Sequence, residues 1–132
     1  NKVIGSKYTD KSIKPDILVK QGYVKCSMAV TSDNSCITSD KGIANVLESN
    51  NIDVLYIEEN NIKLLKKDAT ASTMKGFIGG ASFVFDNKFV LFGDSNNLSN
   101  KDKIIQHLDK YNLELVDFKG LHIYDYGGGI IY

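Results

Sequence analysis

A motif written twice, about fifty-five residues apart, constrains this chain more than any other feature. The first copy runs Gly22-Tyr23-Val24-Lys25-Cys26-Ser27-Met28-Ala29-Val30, then Ser32-Asp33-Asn34-Ser35, then Cys36-Ile37-Thr38-Ser39-Asp40. The second runs Gly76-Phe77-Ile78-Gly79-Gly80-Ala81-Ser82-Phe83-Val84-Phe85, then Asp86-Asn87, then Lys88-Phe89-Val90-Leu91-Phe92-Gly93-Asp94. In each, two runs rich in β-branched or aromatic residues flank an Asp-Asn pair, which tolerates positive φ in a tight turn, so each copy is expected to form a hairpin. A helix is expected next. In the first copy Ser39 or Asp40 would cap it, with Ile43, Val46 and Leu47 as its apolar stripe and Asn50-Asn51 as its end. In the second, Ser99 followed three residues later by Asp102 has the form of a capping box, ahead of Ile104, Ile105, Leu108 and Tyr111, with Asn112 as the stop.

Each helix leads into an extended run of near period two, Ile52 to Ile57 and Leu113 to Phe118, and shorter runs follow at Ile62 to Leu65 and Leu121 to Tyr124. The fold class is therefore α/β, built from repeated strand-strand-helix-strand modules: a lead segment at 1–21, a first module at 22–65 and a second at 76–132. The Ser/Thr/Ala stretch Lys66 to Lys75 reads as a connecting loop. In the lead segment, Thr9 to Ile13 is expected to begin a short helical turn, and Pro15 pushes Lys14 toward an extended conformation. Two such modules leave sheet edges and faces that call for a neighbour, so a homo-oligomer, or a remainder of the domain, is expected to cover them.

Composition narrows the partners. Sixteen lysines stand with no arginine, the net charge is zero and the pI is about 6.9. No basic face exists to neutralise phosphates, so nucleic acid is not an expected partner. Without arginine, any anion must be held by lysine ammoniums or backbone amides. No apolar stretch approaches the roughly 18 residues of a membrane span, and Asn1 to Lys11 holds no apolar signal core, so membrane contact is not expected and the default compartment is cytoplasmic. Two cysteines, Cys26 and Cys36, suit a reducing compartment.

The repeated modules, together with the closing string Asp125-Tyr126-Gly127-Gly128-Gly129-Ile130-Ile131-Tyr132, resemble the pentein fold of guanidino-group-modifying enzymes. Lys20-Gln21-Gly22-Tyr23-Val24-Lys25-Cys26-Ser27, Ile37-Thr38-Ser39-Asp40-Lys41-Gly42-Ile43 and Gly76-Phe77-Ile78-Gly79-Gly80-Ala81-Ser82 are more closely similar to an uncharacterised bacterial family assigned to that fold. The resemblance spans about Tyr8 to Tyr132. It implies a five-bladed α/β propeller around a central site, of which two modules are only part: a fragment, a shortened paralogue, or one member of a ring closed by oligomerisation. Active members use a cysteine nucleophile near the C-terminus, a proton-shuttling histidine and acidic residues that hold the guanidinium. Their glycine run is followed within a few residues by a His-Cys pair. Here Gly127-Gly128-Gly129 is followed by Ile130-Ile131-Tyr132, and Cys26 and Cys36 both lie in the first module.

The candidate site residues are weighed accordingly. Cys26 beside Lys25 reads either as a nucleophile favoured by the ammonium or as a small buried residue on a strand. With the turn centred on Asp33-Asn34, Thr31 opposes Cys36, which puts Cys36 on the face opposite Cys26 and Met28 and disfavours a disulfide. His107 reads as a surface or boundary residue of the second helix, and His122 sits in an extended run near Asp125. Two histidines without spaced partners give no metal-binding pattern, and no cofactor is expected. Asp40 and Asp94, equivalent in the two copies, read either as caps or, following the resemblance, as carboxylates facing a propeller axis together with Asp125. Gly79, Gly80, Gly127 and Gly128 allow backbone to approach a ligand or a neighbouring blade. The expected function is non-catalytic binding of a small polar or cationic ligand at that axis. The alternatives are a guanidino-group hydrolase or transferase completed by residues outside this chain, and a structural or assembly domain.

Overall fold

The computed structural model describes residues 2–65 and 71–129. The first part of the expected connecting loop and the closing Ile130-Ile131-Tyr132 lie outside the described residues. The lead segment forms its own parallel pair, β1 (Ile4–Ser6) with β2 (Ile17–Val19). Turns rather than a helix follow Lys7 and Asp10, the second held by Asp10 Oδ1, which accepts from the Ser12 amide at 2.8 Å and the Ser12 hydroxyl at 2.6 Å.

Next come α1 (Val24–Ser27), β3 (Met28–Ser32), β4 (Ser35–Thr38), α2 (Lys41–Ser49) and β5 (Asp53–Tyr56), with sheet order β3-β4-β5. The hairpin turns at Asp33-Asn34 as expected, and the helix connects β4 to a parallel β5. Two expectations fail. Residues 24–27, read as strand, form one helical turn closed by the Ser27 amide and hydroxyl, both donating to the Tyr23 carbonyl at 2.9 and 2.6 Å. The register also differs: Ser32 opposes Ser35, but Val30 rather than Thr31 opposes Cys36. A bulge at Thr31 absorbs one residue, which puts Cys36 on the face of Met28 and Val30.

After β5, β6 (Ile62–Leu65) and β7 (Ala71–Lys75) pair antiparallel. Part of the stretch expected to be a loop is thus a strand. The second copy follows as β8 (Ser82–Phe85), β9 (Lys88–Leu91), α3 (Lys101–Lys110) and β10 (Glu114–Val116), in the order β10-β9-β8. Here Asp86 and Asn87 both take φ of +49°, the primed-turn geometry that matches strand twist, and the register runs without a bulge. Residues 77–81 turn instead of extending, and the Ser82 hydroxyl donates to the Ile78 carbonyl at 2.6 Å, repeating the Ser27 device of the first copy. β11 (Ile123–Asp125) returns to pair parallel with β6, giving the order β11-β6-β7. All three three-stranded sheets share one pattern: a central strand antiparallel to one neighbour and parallel to the other.

The helix caps follow the repeat in part. Asp40 caps α2 by accepting the Ile43 amide at 2.9 Å. The second copy inserts a 3-10 turn, Ser95–Asn97, capped by Asp94 through the Asn96 amide at 2.9 Å. This insertion displaces the expected capping box. Asn100 occupies the cap position without a side-chain capping bond, its Nδ2 donating instead to the Glu58 carbonyl at 3.0 Å, and Ser99 gives its amide and hydroxyl to Glu59 at 3.0 and 3.3 Å. Both helices end on asparagines of positive φ, Asn51 at +60° and Asn112 at +54°.

Burial explains why β4 is hidden along its whole length. Its Cys36 joins Met28, Val19, Ile43 and Leu47 in a cluster under α2, while Ile37 and Ala29 face a larger cluster with Phe89, Leu91, Ile104, Leu108 and Ile123. The first sheet is thus covered on both faces, and α3 from the second copy closes over the strands of both.

Candidate functional site

A cleft of about 420 Å³ lies between β3 and β8, the equivalent strands of the two copies. Met28, Val30, Phe83, Val84 and Phe89 make its apolar wall. Thr31, Ser32 and Asp33 lie at one end of β3 and Lys25 at the other. At about 3.3 Å per residue the five-residue β3 sets its two ends roughly 13 Å apart. Lys25 and Asp33 enter no ion pair among the described residues.

Most of the sequence-derived candidates converge beside this cleft. The Cys26 carbonyl accepts the Gly80 amide at 3.2 Å, and Gly80 in turn accepts from the amides of Tyr126 at 3.0 Å and Gly128 at 2.9 Å. Asp125, only 4% exposed, accepts from the Phe77 amide through Oδ2 and the Gly127 amide through Oδ1, each at 2.9 Å. Lys25, Cys26, Gly79, Gly80, Asp125, Gly127 and Gly128 therefore form one constellation. Glycine at two of these positions is dictated by close approach. A Cβ on Gly79 would lie 2.1 Å from the Met28 carbonyl oxygen, and one on Gly80 would lie 1.7 Å from Asp125 Oδ1.

The electrostatics of the constellation do not favour a thiolate. Burial raises the Cys26 thiol above its ordinary value, the Asp125 charge raises it further, and Lys25 opposes both by less. Cys26 is only half-buried and sits on α1, a correction to its expected place on a strand. Cys36, buried in the core, has its thiol pushed up to about 12, chiefly by burial and then by the Asp53 charge. Both thiols are free.

The remaining candidates fall elsewhere. Asp40 and Asp94 are caps, and each has a second structural partner. Asp40 accepts from Gln21 Nε2 at 2.9 Å, and Asp94 accepts from the Gly120 amide at 2.9 Å and lies 3.6 Å from Lys119 Nζ. Its two amide bonds hold the Asp94 carboxyl below the usual range. His122 is exposed in an aromatic groove with Phe92, Tyr124 and Tyr126.

The match that bears on kinship covers almost the whole chain: the model of a Family of unknown function (DUF6873) matches residues 1–131. The chain belongs to that family. No curated protein and no solved structure matches it. In this DUF6873 chain no group of three or more His, Cys, Asp or Glu is placed to hold a metal ion, and no helix is long and apolar enough to cross a membrane, both among the described residues.

Sequence reasoning missed two buried polar groups of this DUF6873 member. Glu59, 7% exposed, takes the amides of Asn60, Asn61 and Ser99 and so ties the end of β5 to the approach to α3. His107, expected at the surface or its boundary, is 4% exposed, with Nε2 2.9 Å from Thr31 Oγ1. Thr31 lines the cleft, so this bond links α3 to it, and the same oxygen is 2.7 Å from Ser35 Oγ. The Thr31 bulge that places this hydroxyl has no signature in an otherwise regular strand pattern.

Proposed function

We propose that this protein is a non-catalytic binding member of the pentein-like propeller class, taking a small ligand with an amino or guanidino group in the cleft between β3 and β8. The recurrence of one sheet pattern in three places supports the propeller-like reading. The observation that carries the binding reading is the pairing of an apolar cleft with a carboxylate at one end, Asp33, that enters no ion pair among the described residues, and Lys25 at the other. The nearest potential nucleophile has its thiol pK raised, and the nearest buried carboxylate is committed to two backbone amides, so neither is poised for acyl or amidine chemistry. A cationic end group would meet Asp33, its stem would cover Val30, Phe83 and Val84, and an anionic tail would turn toward Lys25. Thermal-shift measurements test this. Arginine should stabilise the protein more than agmatine, whose second positive charge would meet Lys25, and Asp33→Asn should abolish the effect. An absence of stabilisation by either compound overturns the reading.

An assembly role is favoured by a different observation. Val30, Val84 and Phe85, on the outer strands β3 and β8, are 54%, 40% and 52% exposed. If a second copy covers them, light scattering will give a mass of at least twice 14.6 kDa, and Val84→Lys will return it to the monomer. A monomeric wild type overturns this second reading.

A further inference from the structure

A second groove, sharing no described lining residue with the β3–β8 cleft, has a volume of about 420 Å³ between Phe92, Phe118, Leu121, His122, Tyr124 and Tyr126. Its rings form a connected series. Phe92 and Tyr126 lie 5.6 Å apart at 79°, Tyr126 and Tyr124 6.2 Å apart at 70°, and Tyr124 and His122 6.3 Å apart at 70°. Rings at right angles give no flat platform for a planar base or a sugar face, but they make corners in which a compact group meets π faces from more than one side. Leu121, Phe118 and Tyr126 are 58%, 47% and 59% exposed, which leaves apolar surface open to solvent.

Charge selects the occupant. Among the described residues no lysine lines the groove. Beside it, among the described residues, stand the carboxylates of Asp94 and Asp117 and the ammonium of Lys119, which bridges them at 3.6 and 3.1 Å. The chain holds them there through the Asp94 amide, which donates to the Leu121 carbonyl, and the Phe118 amide, which donates to the Gly93 carbonyl. An aromatic hollow with a net negative margin suits a cation too poorly hydrated to prefer water and too bulky to need a direct ion pair. We propose that this groove binds a small quaternary ammonium compound of the choline type.

Choline itself is the probe, and 3,3-dimethyl-1-butanol, of the same shape without the charge, is its control. Chemical-shift titration should show saturable choline binding at tyrosine ring resonances, with the neutral analogue at least about fivefold weaker. Tyr126→Ala should weaken choline about five- to tenfold, Tyr126→Phe should retain it, and Asp33→Asn in the other cleft should leave it unchanged. Phe118→Ala, which also trims an exposed ring, serves if Tyr126→Ala lowers the thermal midpoint. Equal binding of the neutral analogue, indifference to both ring deletions, or no saturable shift overturns the proposal.

Discussion

Gly80 lies so close to Asp125 that a Cβ on the glycine would stand 1.7 Å from Oδ1 and 2.4 Å from Cγ. The carboxylate cannot yield, because it is buried and already holds the Phe77 and Gly127 amides. Three segments distant in sequence are pinned at this point: the turn before β8, the end of β11, and, through the Gly80 amide, the Cys26 carbonyl of α1. Gly80→Ala must break this pin and should cost several kcal/mol, on the order of 3, in urea unfolding. Gly127→Ala meets no atom of the described residues within 4 Å and bears the strain of φ +85°, so about 1 kcal/mol is expected. Equal costs at the two positions would refute the pin.

Asp40 provides the matching control outside the constellation. Removing its carboxylate by Asp40→Ala deletes the α2 cap and the bond from Gln21, and should lower stability by roughly 1 kcal/mol, within the usual range for a lost N-cap. Ligand-induced stabilisation, measured as the shift in thermal midpoint with arginine, should be retained. Loss of that shift in a folded Asp40→Ala protein would restore Asp40 to the site.

How much of this was legible in the sequence depends on where each interaction lies along the chain. Both hairpins and both helices follow from local patterns, because Asp33-Asn34, Asp86-Asn87, Asp40 and the Ile104/Leu108 stripe act within a few residues of themselves. The bent starts of both hairpins carry a strand-like sequence. Tyr23 and Ile78 are good strand formers, and the deciding bonds come from serines four residues later, to carbonyls the sequence does not mark. The third sheet was invisible for a different reason: β11 finds β6 across sixty-one residues, from Ile62 to Ile123, and no local rule encodes that pairing. The convergence of Cys26, Gly80 and Asp125 was suggested only as a set of residue types. Their contact needed the fold.

The two thiols should separate cleanly by reactivity. Cys36 is buried with its pK pushed up to about 12, and Cys26 is half-buried with its pK raised by burial and by Asp125. In a thiol titration at pH 8 the folded protein should therefore react slowly at Cys26 and not at Cys36, while unfolding in urea should release both at once. Asp125→Asn removes the nearby negative charge and should speed the Cys26 reaction, provided the pin survives. Rapid reaction at Cys26 in the wild type would mean an activated thiolate and would reopen the catalytic reading.

The His107–Thr31 bond gives the fold a pH dependence whose sign can be worked out. Burial lowers the pK of His107 below 6.5, Asp53 pulls it back up, and Lys110 adds to the lowering; the Tyr111 ring, 5.2 Å away, faces the imidazole on the same helix. The unfolded chain thus binds a proton more readily than the folded one. The stability contributed by the neutral ring is fully present above pH 6.5 and drains away as the pH falls through the lowered folded value. The carboxylates of Asp53, Asp94 and Asp117 are held below the ordinary 3.8 by their hydrogen bonds and stay charged down to pH 5.5, so a loss between pH 7 and about 5.5 is not theirs. His107→Gln keeps a neutral hydrogen-bonding group beside Thr31 and Ser35. It should cost about 1 to 2 kcal/mol at pH 7.5 and abolish the decline on acidification. Urea melts of both proteins at pH 7.5 and 5.5 check this, and parallel losses in the two would show that the acid sensitivity resides elsewhere in the chain.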